Sequence, residues 1–320
     1  MSGAPPAVDG LAEYLAALRA EVEAAGVLVP GSPRAPRPAV LGDMDSETDA
    51  PVIGGARPLV AVATTGGPEA ETMRQAMVAS ALGADLVEVR ADLVDPAPEA
   101  AGQGLAASWA SPALATASLL AAEGQHTPVL LTVRTAAEGG AADVDADRYR
   151  QTLRETIRFL GEARSTGRFA LVRAVDVEIA HGCLDELADA AHEAGLLVVA
   201  SAHVFTTTPG QQEMEDLLDR MQRQGADVAK LAVMPREAPD AHEDVIALLG
   251  ATARSRAELE IPVSTIAMGE QGAPTRLVGG VFGSALTFAT AGSGASAPGQ
   301  LDISTVRQAL TLVAGQFDGG

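Results

Sequence analysis

From residue 58 to residue 320 the sequence repeats one pattern eight times: a short, β-branched apolar run, then an Ala- and Leu-rich stretch with helical spacing. The apolar runs are 59–65 (LVAVATT), 85–93 (DLVEVRADL), 128–135 (PVLLTVRT), 171–179 (LVRAVDVEI), 196–205 (LLVVASAHVF), 228–234 (VAKLAVM), 261–268 (IPVSTIAM) and 284–291 (SALTFATA). Helical stretches follow them at 68–83, 105–123, 145–166, 183–194, 209–224, 237–254, 274–283 and 302–316. A run that stays apolar at successive positions suits a parallel strand covered on both faces. Eight strand–helix units in about 260 residues predict an α/β fold, a closed (β/α)8 TIM barrel, in preference to an open doubly wound sheet. With 47% hydrophobic residues the chain can fill such a core.

Residues 1–57 break the pattern and read as an N-terminal extension to a catalytic domain at 58–320. Leu11, Leu15, Leu18 and Val22 lie near helical spacing behind Asp9, a suitable N-cap, which predicts a short helix over 10–26. Residues 29–58 then carry six prolines and read as an extended linker.

Barrels of this kind do their chemistry at the C-terminal ends of the strands and in the loops that follow. Lys230 lies in the sixth run and is the only lysine among the 22 basic residues of the chain. A position that keeps Lys where every other cation is Arg asks for something a guanidinium cannot do. Burial disfavours the ammonium form of an amine, and a free amine attacks a ketone to form a Schiff base, whereas Arg stays protonated. The competing reading is a buried lysine ion-paired with Glu88 or Glu138.

Other polar residues sit where the barrel brings them together. Glu88 and Arg90 alternate on the second run and share a face. Arg134 ends the third run, Glu138 lies just beyond it, and Arg276 follows the loop after the seventh. His203, near the end of the fifth run, is one strand from Lys230 and suits proton transfer at neutral pH. The arginines and Lys230 make a positive pocket in a protein of formal charge −20, which points to a small anionic substrate.

The same excess of 42 acidic over 22 basic residues argues against nucleic-acid and membrane partners. No run approaches 18 apolar residues, so no membrane-spanning helix is expected. The start, MSGAPPAVDG, lacks the basic and apolar regions of a signal peptide. Cys183 is the only cysteine, reads as a packing residue, and suits a reducing cytoplasm. No two histidines have ligand spacing, so no metal is expected; His126, His181, His192 and His242 read as surface residues. The stretch 64–71 (TTGGPEAE) reads as a strand-to-helix turn, and 291–300 (AGSGASAPGQ) as a linker or a lid.

The segments DLVEVRADL, TVRTAAEGG, SAHVFTTTP, DVAKLAVMP, VSTIAMG, TRLVGGVFGSALTF and ASAPGQ, in this order, resemble the type I 3-dehydroquinate dehydratase family over nearly all of 58–320. The resemblance implies a (β/α)8 homodimer, without metal or organic cofactor, that reversibly dehydrates 3-dehydroquinate to 3-dehydroshikimate in the shikimate pathway. It implies that Lys230 is the Schiff-base lysine, His203 the proton-transferring histidine and Glu138 the carboxylate that orients it. By the same resemblance Glu88, Arg90 and Arg134 hold the substrate's hydroxyl side, and Arg276 clamps its carboxylate. Ser296 and Gln300 match lid residues, and Met268 and Phe288 an apolar wall. Two departures stand out. Val204 occupies a position where the family usually has Asp, and the loop before Ser296 is one residue longer. Strand alternation points Val204 away from His203. Two other readings stay open: a class I aldolase-like lysine enzyme, which would not need the whole Glu88, Arg90, Arg134 and Arg276 set, and a catalytically impaired binding or regulatory barrel.

Overall fold

The computed structural model describes residues 36–42, 50–95, 104–167, 169–237, 239–292 and 294–314; the helix expected at 10–26 lies outside the described residues. Each of the eight apolar runs contains one strand: β1 (Leu59–Ala63), β2 (Leu86–Arg90), β3 (Val129–Thr132), β4 (Val172–Glu178), β5 (Leu197–Val204), β6 (Val228–Val233), β7 (Val263–Ala267) and β8 (Leu286–Thr290). Neighbours in sequence pair in parallel from β1 to β7, and β8 returns to β1 with Leu286 opposite Leu59. The ring closes between β7 and β8 through a bridge from Val263 to Ser284, where the Ala285 N–H donates to the Val263 carbonyl at 2.8 Å.

Among the described residues, seven helices of ten or more residues surround the strands: α1 (Glu69–Ala81), α2 (Leu105–Ala122), α3 (Ala146–Arg164), α4 (Leu184–Glu193), α5 (Gln211–Arg223), α6 (Ala241–Glu258) and α7 (Ile303–Ala314). Two differ from expectation. The helix expected at 237–254 starts later, at Ala241, with Asp240 at its N-cap, and runs on to Glu258. The stretch 274–283 holds only a one-turn helix, Thr275–Val278, and a 3-10 turn, Gly279–Phe282. Gly279 and Gly280 weaken helix propagation there, and Gly283 ends the turn at φ +103°. The glycine pair of TTGGPEAE forms the expected strand-to-helix turn. A Cβ on Gly66 (φ +90°) would come within 2.4 Å of the Leu93 carbonyl oxygen.

By length and composition α2 is apolar enough to cross a bilayer. Its Trp109, Ala113, Ala117 and Leu120 are buried in the main core, and it packs between α1 and α3.

Strand alternation divides the core in two. Outward residues such as Val89, Leu131, Val177 and Leu231 pack under the helices. Inward residues at the N-terminal ends of the strands, among them Leu59, Leu86, Leu130, Val199 and Val228, fill the base of the barrel. Above this layer the inward positions become polar: Glu88, Thr132, Asp176, Ser201, Lys230 and Ser264 are all buried. A lumen filled by stacked layers leaves room for polar groups only near the C-terminal end.

Part of the segment expected to be a linker is built into this core. Ala39–Val40 pairs antiparallel with Val52–Ile53, and Ala39, Leu41 and Ile53 join the apolar cluster at the barrel base. Strands of two residues show no periodicity, and flanking prolines disguise them as linker. Ile53 is 1% exposed, so Ile53→Ala is expected to cost about 2–4 kcal/mol. Urea unfolding should show this as a lower midpoint with an unchanged slope.

Candidate active site

Lys230 takes an inward position on β6, opposite Ser201 of β5 and Ser264 of β7. These small neighbours leave its long side chain free to cross the lumen. Its Nζ lies 3.2 Å from Glu88 Oε1 on β2, 3.6 Å from Asp176 Oδ2 on β4, and 4.3 Å from the centre of the Phe288 ring on β8. Of the two carboxylates proposed as partners, Glu88 meets the amine, while Glu138 lies with His203.

A buried ionic network stands beside the amine. Arg134 donates through Nη1 to Glu178 at 2.9 Å and to the Ser201 hydroxyl at 2.9 Å, and through Nη2 to Asp176 at 3.0 Å. Asp176 also accepts from the Ser201 hydroxyl at 2.7 Å, and Glu88 from the Thr132 hydroxyl at 2.8 Å. Glu178 accepts from the Thr135 N–H and hydroxyl, and its own N–H donates to Tyr149 of α3. Burial pushes the Asp176 carboxyl up, but Arg134 and Lys230 outweigh it and hold the group below the usual carboxylate range.

His203, on β5 and inward, places Nδ1 2.9 Å from Glu138 Oε2. Burial, with the charges of Arg134, Lys230 and Arg90, holds the imidazole well below its ordinary pKa. Burial and the nearby Glu178 push Glu138 up to about 8, against the pull of Arg134. The downward shift on His203 favours a neutral imidazole, and with Nδ1–H donating to Glu138 its Nε2 is available as a base. Val204 lies on the opposite face, against the outer core, and its carbonyl accepts from the Met234 N–H at 2.8 Å.

Two arginines rim the site in different states. Arg90 is held bidentately by Asp92 at 2.8 and 2.7 Å. Asp92 also accepts the N–H groups of Arg134 and Ala141, tying β2 to the loop that carries Glu138. Arg276 is 2% exposed and has no carboxylate partner among the described residues. Its Nη1 and Nη2 donate only to the carbonyls of Phe288 (3.3 Å) and Pro298 (3.1 Å), and Nε makes no hydrogen bond. Burial pulls its pKa down to about 10. A buried cation satisfied by neutral acceptors alone is costly, and an anion would relieve that cost.

Ser296, Ala297, Pro298 and Gln300 line the pocket with this arginine. Pro298 accepts from both Arg276 and the Gly269 N–H, while the Gln300 amide donates to the Ser296 hydroxyl at 2.9 Å and accepts from its N–H at 2.8 Å. Met268, Ile266, Phe288 and Phe205 supply apolar wall. All eleven residues singled out from the sequence line this one pocket: Glu88, Arg90, Arg134, Glu138, His203, Lys230, Met268, Arg276, Phe288, Ser296 and Gln300.

Asp176, Glu178, Thr132, Ser201 and Tyr149 were not foreseen. The signal for the first two was present in β4, where two carboxylates two apart interrupt an apolar run, the pattern that had marked Glu88 and Arg90. His181 corrects an expectation. Instead of standing on the surface, it stacks on Tyr149 at 4.1 Å and binds Glu178 at 2.9 Å, because the 3-10 turn after β4 folds it inward. Cys183 is buried, and burial raises its thiol to about 11, as suits a packing residue.

The sequence profile of the type I 3-dehydroquinase family matches residues 60–316. The chain is 36% identical over 265 residues to a 3-dehydroquinate dehydratase of Geobacillus kaustophilus, an alignment spanning 82% of this chain and 93% of that protein. It is 41% identical over 194 residues to one from Listeria monocytogenes, spanning 60% of this chain and 71% of that protein. The crystal structure of the Geobacillus kaustophilus enzyme superposes with a TM-score of 0.70 at 32% identity, covering 86% of this chain and 98% of that one. A type I 3-dehydroquinate dehydratase from Clostridium difficile, solved with covalently modified comenic acid, gives 0.71 at 28% identity over 88% and 98%.

Proposed function

We propose, on the premise that the chain belongs to the type I 3-dehydroquinase family of hydro-lyases, that it dehydrates 3-dehydroquinate to 3-dehydroshikimate through a Schiff base on Lys230. The observation that carries this reading is a buried lysine facing a hydrogen-bonded His203–Glu138 pair and a buried arginine that has no carboxylate partner among the described residues, in one pocket.

The steps follow from the residues present. The unprotonated Lys230 amine adds to the ring ketone, and loss of water gives an iminium that draws electrons from the neighbouring C–H. His203 Nε2 takes that proton, leaving an enamine, and Glu138 steadies the imidazolium through Nδ1. The enamine electrons expel the β-hydroxyl, which leaves as water with a proton returned by His203. Water then hydrolyses the conjugated iminium to the enone and frees the amine. Arg276 pairs with the substrate carboxylate and fixes the ring so that the C–H and the leaving group face His203. Glu88, Arg90 and Arg134 receive the hydroxyl side, and Ser296 and Gln300 close over the ring. We extend the reading to a cytoplasmic homodimer serving the shikimate route without a cofactor.

Val204 lies on the outer face, which supports an active enzyme over an impaired barrel. The aldolase-like reading does not need the whole Glu88, Arg90, Arg134 and Arg276 set that lines the pocket. Adding 3-dehydroquinate to the protein should produce the ultraviolet absorbance of the conjugated product. Cleavage of a keto acid without that absorbance would support the aldolase reading. Arg276→Ala is expected to raise KM about 10- to 100-fold, the worth of a charged hydrogen-bonding pair, with a smaller effect on kcat; steady-state kinetics separate the two.

A further inference from the structure

We infer that Asp176 is a positioning residue for the reaction, a fixed counter-ion that holds the side chain of Lys230 and favours the cationic species formed at its Nζ. This inference rests on the Schiff-base reading above. Asp176 is fully buried on β4 and does not line the pocket, so it acts through its neighbours rather than on substrate. One oxygen, Oδ2, sits 3.6 Å from Lys230 Nζ and 3.0 Å from Arg134 Nη2. The other, Oδ1, is fixed by the Ser201 hydroxyl at 2.7 Å. That hydroxyl belongs to the residue directly opposite Lys230 in the β5–β6 register. The carboxylate is therefore immobilised from two sides, and its free face is the one turned to the amine.

The two anions that touch Lys230 divide the work. Glu88, which accepts from the Thr132 hydroxyl, also accepts from the amine and faces the pocket, where substrate can engage it. Asp176 cannot be reached by substrate, so its charge stays in place through every stage of the cycle. An anion beside Nζ favours the ammonium form before attack and, after condensation, the iminium, which carries the same positive charge at the same atom. The other groups facing the amine's surroundings are Glu88 and Arg90 on β2, Arg134 and Glu138 from β3 and its loop, His203 on β5, and Arg276 beyond β7. Among the described carboxylates only Glu88 and Asp176 come within ion-pair distance of Nζ.

The test is Asp176→Asn, which keeps the shape and the Ser201 contact and removes the charge. Borohydride trapping of the substrate adduct is measured from pH 5 to 10 in the wild-type protein and the variant. Loss of the anion should move the pH midpoint of trapping down by about 1–3 units, the usual effect of one opposite charge at this range. It should lower kcat about 10-fold or more while KM stays within about threefold, because Glu178 still holds Arg134 in place. A purely structural role would leave the midpoint where it is, and an unmoved midpoint overturns the inference. Glu178→Gln, which removes a carboxylate from the same Arg134 without contact to Lys230, should leave the midpoint unchanged; an equal shift there also counts against it. If Asp176→Asn does not fold, Ser201→Ala carries the test. Freeing one oxygen of Asp176 should reduce kcat severalfold at unchanged KM, and an unchanged kcat, or a change confined to KM through Arg134, contradicts the inference. Absence of any trapped adduct in the wild-type protein would instead remove the Schiff-base reading itself.

Discussion

Lys230→Ala is expected to lower kcat by more than about 10⁴-fold, because it removes the covalent step rather than weakening it. Lys230→Arg should be equally inactive, since a guanidinium keeps the charge and cannot give up its proton. The pair of variants separates chemistry from electrostatics: a merely ion-paired lysine would be served tolerably by arginine. Truncation also leaves Glu88 and Asp176 without their shared cation, and breaking a buried pair typically costs about 3–5 kcal/mol. Thr132 still donates to Glu88 and Arg134 to Asp176, so the low end applies and the fold should survive. Circular dichroism beside the rate assay checks this, and a folded variant retaining a substantial fraction of wild-type turnover would overturn the role given to Lys230.

His203→Ala should reduce kcat by about 10²- to 10⁴-fold, the range for loss of a positioned acid–base group, with KM little changed. The pH dependence carries more information. The folded protein holds His203 well below its ordinary range, so the imidazole remains an unprotonated base to a lower pH than a free histidine does. The acid limb of kcat/KM attributable to it should therefore lie below about pH 6.5, the reference value for a free imidazole. Stability follows the same sign. An unfolded chain protonates this histidine as pH falls through the ordinary range while the folded chain does not, so acid favours unfolding there. His203→Ala should flatten that part of the stability profile, as denaturant titrations at several pH values would show.

Much of the architecture was legible because parallel strands covered on both faces write long apolar runs, and all eight were visible. The site was legible for a related reason. Charged residues at Glu88, Arg90, Arg134, Lys230 and near His203 interrupt those runs where a barrel opens. Failures came where a signal was short or shared. The hairpin of Ala39–Val40 and Val52–Ile53 offers two residues per strand, too few for a period, and its burial depends on an open barrel base that only tertiary structure supplies. His181 reads as a loop residue, and nothing local reveals that Tyr149, 32 residues earlier on α3, will lie beneath it. Asp176 and Glu178 carried the right pattern, yet whether a buried acid has partners depends on Arg134 and Lys230, which approach from other strands.

Val204 shows how register decides the weight of a substitution. A change directly after the histidine looks close to the chemistry in sequence, but a period of two puts it on the helix-facing side of β5. Its packing there with the outer core makes it a stability position first.

The most direct measurement is borohydride reduction of the protein in the presence of 3-dehydroquinate, followed by peptide mass analysis. A substrate-derived mass increment is expected on the peptide that holds residue 230, at Lys230 and absent from Lys230→Ala. Turnover of 3-dehydroquinate with no adduct on that peptide would contradict catalysis through this lysine.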